Sequence, residues 1–182
     1  IASGDRDAKQ ISKPINSLAK KGIEVIHGNI EKIDPEKRAV LVDGKQYHGD
    51  YLIIATGAEL APETIPGLTA AGHNLYTLEG AQAIRDAGLK LTSGKVVVLV
   101  CSMPFKCPAA PYEAAMLLDA DCRKRGLSSK VSVEVYSPEP GPMPVTGPEV
   151  SQQVRQMVES KGVKYFPQHA VKEIDPQERA II

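Results

Sequence analysis

Chemistry in this sequence concentrates on one short segment, Phe105-Lys106-Cys107-Pro108-Ala109-Ala110-Pro111-Tyr112-Glu113. Cys107 follows a lysine and precedes the expected start of a helix. A neighbouring cation and a helix N-terminus both favour thiolate over thiol. A thiolate placed there suits redox or sulfur-transfer chemistry. A small buried cysteine with no chemical role is the competing reading, and placement alone does not choose between them. Cys101 closes an aliphatic run and Cys122 lies four residues after Leu118 on the expected helix, so both read as packing residues. A Cys101–Cys107 disulfide stays open, because spacing does not determine Cβ geometry. The four histidines (His27, His48, His73, His169) share no metal-ligand spacing with each other or with cysteine.

Phosphate-gripping chemistry lacks its usual carrier. The fifteen glycines contain no Gly-x-Gly-x-x-Gly, the loop whose backbone approaches a dinucleotide pyrophosphate. Where such a loop would follow the run Val96–Val100, the sequence supplies three prolines and a phenylalanine. Gly88 and Gly94-Lys95 imitate a P-loop, but the gap is too long and no Ser or Thr follows.

The elements that position Cys107 come from an α/β alternation. A strand (Lys95 to Val100), a helix (about Ala110 to Arg125) and a strand (Val131 to Tyr136) precede a helix with apolar residues at Val150, Val154, Met157 and Val158. Lys161-Gly162 stops that helix, Val163–Phe166 forms a further strand, and Ile174-Asp175-Pro176 turns a hairpin toward Arg179-Ala180-Ile181. The same order occurs earlier, at an offset of 139 to 141 residues. There Ile11, Ile15, Leu18 and Ala19 mark a helix face and Lys21-Gly22 the stop. Ile23–Ile26 is the strand, and Ile33-Asp34-Pro35 leads through a hairpin to Arg38-Ala39-Val40. An ordered series of matches indicates two related domains in tandem. The alternation predicts an α/β, doubly wound, Rossmann-like sheet, with the aliphatic run Val96–Val100 covered by helices on both faces. Residues 58–93, rich in Pro, Gly and Ala, read as the crossing, with a short helix near Glu79–Ala87. The copies divide as residues 1–60 and 61–182. Against the second copy, the first lacks about 45 residues before its helix, and the second stops before any counterpart of Asp50–Gly57. The expectation is a piece of a larger protein, truncated at both ends.

Composition sets limits on function. The 182 residues carry 22 basic and 22 acidic side chains, so the formal charge is zero. That balance argues against gripping nucleic acid or an anionic membrane surface. The longest apolar run, Val96–Cys101, is far short of the roughly 20 residues of a membrane span. Three cysteines do not make a disulfide-stapled scaffold.

Tyr51-Leu52-Ile53-Ile54-Ala55-Thr56-Gly57-Ala58, followed by Ile65-Pro66-Gly67, resembles the end of the FAD-binding half of the pyridine nucleotide–disulfide oxidoreductase superfamily. Within it, the Lys106-Cys107-Pro108 segment through Tyr112-Glu113 resembles that of the sulfide:quinone oxidoreductases and flavocytochrome c sulfide dehydrogenases. The resemblance implies that Cys107 is one of two redox cysteines beside the flavin, the second lying outside this chain. It implies that Ala55, Thr56 and Gly57 lie against FAD and that the bend at Gly28, Asn29 and Ile30 meets its adenine end. It implies sulfide or a related sulfur species as substrate, quinone or a cytochrome rather than NAD as acceptor, and a cytoplasmic or peripheral membrane location. Without a glycine loop, the 182 residues are expected to bind FAD weakly and not to turn over; a tight stoichiometric FAD titration would contradict this. Two other readings stay open. One is an NAD(P)H-dependent disulfide or persulfide reductase, or a type II NADH dehydrogenase relative. The other is a non-enzymatic module on a degenerate dinucleotide fold.

Overall fold

Pro14 decides the fate of the first expected helix. A proline removes a backbone donor and pushes the residue before it out of the helical region. In the computed structural model, which describes residues 1–182, the chain therefore forms only the single turn α1 (Ala8–Ile11) and then a 3-10 segment, Ile15–Lys21. No residue of either is buried, so the continuous amphipathic helix expected over Ile11–Ala19 does not form. The stop does: Gly22, at φ 77°, donates its N–H to the Ala19 carbonyl at 3.0 Å. The expected strand at Ile23–Ile26 is also absent, since no neighbouring strand offers it a ladder.

Residues Ile11–Glu59 make one compact unit. Its ordered part is an antiparallel meander of β1 (Ile30–Asp34), β2 (Ala39–Val42) and β3 (Lys45–His48). Asp34 turns the first hairpin, accepting the Lys37 N–H on Oδ1 at 3.0 Å, and Arg38 closes it in the left-handed region at φ 50°. Ala39 and Val42 are the buried residues of β2. Beyond β3 the apolar run Tyr51–Ala55 has no strand partner, leaving Tyr51 90% and Ile53 88% exposed.

The second unit comprises Ile1–Gln10 and Leu60–Ile182. After the turn α2 (Leu68–Ala71), Thr77 caps α3 (Leu78–Lys90), its hydroxyl accepting the Gly80 N–H at 3.0 Å. Then follow β4 (Gly94–Leu99), α4 (Ala110–Lys124), β5 (Val131–Tyr136), α5 (Pro148–Ser160) and β6 (Lys164–Phe166). The three strands pair in parallel in the order β4-β5-β6, as strand–helix–strand connections require. Alternation along β5 sends Val133 and Val135 to one face, where they pack with Tyr112 and Ala115 of α4, Val158 of α5, and Val163 and Tyr165. This is the core.

The other face of β5 carries a charged side chain. Glu134 sits there, 2% exposed. It accepts hydrogen bonds from Ser132 (3.0 Å), Tyr136 (3.0 Å) and Lys164 (3.3 Å) and pairs with Lys95 at 3.5 Å. Burial alone raises its carboxyl; the bonds from Tyr136, Ser132 and Lys164 and the Lys95 charge outweigh that and hold it below the ordinary range. A carboxyl depressed by folding contributes stability above its unfolded pKa, and that contribution is lost as pH falls through the lower folded value. Glu134→Gln is expected to cost about 1–3 kcal/mol at neutral pH, discounted because both lysines are more than half exposed. Its urea midpoint should also fall less than the wild type's on acidification below about pH 4.5. Parallel acid limbs would contradict this account.

The chain ends in a second hairpin, β7 (Ile174–Asp175) with β8 (Ala180–Ile181). Asp175 Oδ1 accepts the N–H groups of Gln177 (2.8 Å) and Glu178 (3.0 Å). Arg179 takes φ 53°, as Arg38 does in the first hairpin, so the sequence repeat is also a repeat of backbone conformation. No helix is long and apolar enough to cross a membrane.

Candidate functional site: the Cys107 loop

β4 delivers the chain to the edge of the parallel sheet, where Val100 donates its N–H to the Tyr136 carbonyl at 2.9 Å. The loop Cys101–Ala109 then leads into α4, whose first residue Ala110 donates its N–H to the Cys107 carbonyl at 2.9 Å. Pro111 suits that first turn, where its missing N–H is not needed. Cys107 is exposed and sits in the left-handed region at φ 55°, a conformation that an L-residue keeps only when its surroundings impose it.

The residue before Cys107 is held by Tyr76, which sequence reasoning missed. Its hydroxyl donates to the Lys106 carbonyl at 2.6 Å, and the Lys106 ammonium lies over its ring at 5.1 Å, within cation–π range. Burial raises the Tyr76 phenol above its ordinary value. Tyr76 is itself held. Its N–H donates to Asn74 Oδ1 at 2.9 Å, and a Cβ on Gly80 would come 1.8 Å from the Asn74 carbonyl oxygen, so only glycine allows α3 to start so close to that turn. The Asn-x-Tyr-Thr-x-x-Gly order around the α3 cap was the available signal.

The three thiols are free and differ in environment. Cys101 is half-buried; its thiol donates to the Leu99 carbonyl at 3.7 Å, and burial raises its pKa. Cys122 is buried on α4, where burial first and Asp121 second raise its pKa. Cys107 alone is exposed.

The other expected site residues lie in the Ile11–Glu59 unit. Ala55, Thr56 and Gly57 are exposed and outside regular structure, with Gly57 at φ 77° and open space where a Cβ would stand. Asn29 is engaged locally: its N–H donates to Asp43 Oδ1 at 3.1 Å and its carbonyl accepts the Asp43 N–H at 3.2 Å. Ile30 opens β1 opposite Val42.

Beyond the carboxyl end of β5, where open α/β sheets place ligands, lies a closed polar cluster. Glu139, 2% exposed, accepts the Tyr112 hydroxyl at 2.5 Å and the Ser137 hydroxyl at 3.0 Å on the same oxygen. Burial, then the Glu139 bond, raises the Tyr112 phenol far above its ordinary range. The first turn of α4 therefore fills this position with its own tyrosine.

The family model for pyridine nucleotide-disulphide oxidoreductases matches residues 1–182. The sulfide-quinone reductase of Aquifex aeolicus is 30% identical over 97% of this chain and 42% of its own length. The mitochondrial sulfide:quinone oxidoreductase of Dictyostelium discoideum is 27% identical over 96% of this chain and 40% of its own. The crystal structure of the Aquifex aeolicus sulfide:quinone oxidoreductase superposes with a TM-score of 0.76 at 30% identity, covering 96% of this chain and 42% of that one. The chain thus spans about two fifths of the length of these relatives.

Proposed function

This chain belongs to the pyridine nucleotide-disulphide oxidoreductase family, and from that premise we propose that it is the Cys107-bearing part of a flavoenzyme that oxidises sulfide and delivers electrons to quinone. The observation that carries the reading is the exposed Cys107, held in a left-handed conformation at the carboxyl edge of a parallel sheet. Similarity to sulfide-quinone reductases over nearly the whole chain supports the choice of substrate and acceptor.

Sulfur enters by thiol–disulfide chemistry. Hydrosulfide attacks Cys107 in a disulfide with a second cysteine outside these 182 residues; the S–S bond breaks, that cysteine leaves as thiolate, and Cys107 carries a persulfide. The sulfide sulfur has lost two electrons, and the released cysteine thiolate holds that pair. FAD bound beside this segment would supply the two-electron acceptor for that pair. The residues present fit one end of FAD. Ala55, Thr56 and Gly57 give an open, uncharged backbone that a flat ring can approach. Toward the adenine end the chain offers Asn29, whose N–H is taken by Asp43, and Ile30, which opens β1. Two features support an acceptor other than NAD: the proline-filled loop after β4 and the self-occupied Glu139.

The test is reduction of a flavoprotein carrying this segment under anaerobic conditions. Sulfide is expected to bleach the flavin absorbance and NADH to leave it unchanged; bleaching by NADH but not by sulfide would overturn the reading in favour of a nicotinamide-dependent reductase.

A further inference from the structure

Tyr76 and Lys106 meet twice, and the two contacts do different things. The hydroxyl-to-carbonyl bond of 2.6 Å ties the peptide just before Cys107 to the start of α3, thirty residues earlier. The ammonium over the ring, at 5.1 Å, keeps a long exposed side chain from ranging freely through solvent. An unclamped lysine spends its rotamer freedom in water, and its average field at a neighbouring atom is weak. A clamped one is a fixed positive charge. Cys107 is the next residue along the chain from the carbonyl that Tyr76 holds, so the thiol lies beside the clamped lysine. No carboxylate forms an ion pair with Lys106, which leaves its charge available to a ligand.

We propose that Tyr76 and Lys106 form an anion-steering clamp that makes Cys107 selective for negatively charged sulfur species, such as hydrosulfide and polysulfide, over neutral ones. The proposal rests on the reading of Cys107 as the sulfur-accepting thiol and adds the substrate's charge and the two residues that select it. Lys106 supplies the field; Tyr76 is a positioning residue that acts through it. At an exposed site the field is that of a single charge in a high dielectric, so the selectivity is modest and falls with salt.

The test compares two aromatic disulfides on the chain itself, dianionic dithiobis(nitrobenzoate) and neutral dithiodipyridine. In each case the Cys107 thiolate displaces one half of the reagent as thiolate and keeps the other as a mixed disulfide, so the chemistry is shared and only charge differs. Rates are read at the Cys107 peptide by mass spectrometry and divided by those of a neutral free thiol, N-acetylcysteine amide. The anionic-to-neutral ratio for Cys107 is expected to exceed that of the free thiol by roughly three- to tenfold at low salt, and to collapse toward it at high salt. Lys106→Met should remove the preference, and Tyr76→Leu should remove it without adding to the effect of Lys106→Met. Tyr76→Phe keeps the ring and should retain part of it. Lys106 is exposed, so its variant keeps the question answerable even where Tyr76→Leu perturbs folding. A ratio equal to the free thiol's in wild type, or one that survives Lys106→Met, would overturn the clamp. A Cys107 that reacts with neither reagent would overturn the reading of the site on which the clamp rests.

Discussion

Tyr112→Ala is expected to destabilise the Leu60–Ile182 unit by about 3–5 kcal/mol, a large part of the 5–15 kcal/mol that holds a typical domain folded. Tyr112 is 1% exposed and packs its ring edge-on against Tyr165 at 5.8 Å in the centre of the core. Truncation leaves a cavity between α4 and the sheet. It also removes a hydrogen bond to Glu139, whose remaining side-chain partner is Ser137. Tyr112→Phe separates the two contributions. It keeps the ring and should cost about 1–3 kcal/mol, the penalty for leaving a buried carboxylate with Ser137 as its one side-chain partner. Urea unfolding followed by far-UV circular dichroism measures both. A Tyr112→Phe variant within 0.5 kcal/mol of wild type, a roughly neutral change, would mean that Glu139 does not depend on this bond.

The second large effect belongs to Cys107. In a flavoprotein carrying this segment, Cys107→Ser should lower sulfide-dependent flavin reduction by roughly a hundredfold or more, because a serine hydroxyl neither ionises near neutral pH nor forms a disulfide. Cys101→Ser and Cys122→Ser should leave the rate within about a factor of two, since burial raises both of those thiols and disfavours the reactive thiolate. Stopped-flow absorbance of the flavin reads all three. A Cys101→Ser variant as impaired as Cys107→Ser would show that the two thiols of the loop work as a pair.

Much of this architecture is legible in the residues. The run Val96–Val100 and the segment Val131–Tyr136 mark β4 and β5, and helix α4 begins at Ala110 as expected. The Asp-Pro hairpins recur with the same aspartate turn and the same left-handed arginine. Elements that need a partner are less legible. Ile11–Ala19 has a good apolar spacing, yet Pro14 breaks it and none of its residues is buried in the structure. Glu134 lies inside a strand otherwise rich in valine, and only the parallel register shows that Lys164 stands beside it, with Lys95 pairing from β4. Tyr76 and Glu139 were not readable as site residues, because each acts across a distance of 27 or more residues that no local pattern encodes. Cys107 stands out from its neighbours alone, Lys106 and the start of α4, and its role is the one proposed above.

Sulfur transfer to Cys107 is the central claim, and the most direct measurement is mass spectrometry of the chain after brief anaerobic exposure to inorganic polysulfide. The thiolate takes one sulfur atom from the polysulfide and becomes a persulfide, while the polysulfide leaves one atom shorter with its two negative charges. The account predicts one added sulfur on the peptide containing Cys107 and none on those containing Cys101 or Cys122. An unmodified Cys107, or sulfur spread equally over the three cysteines, would contradict it.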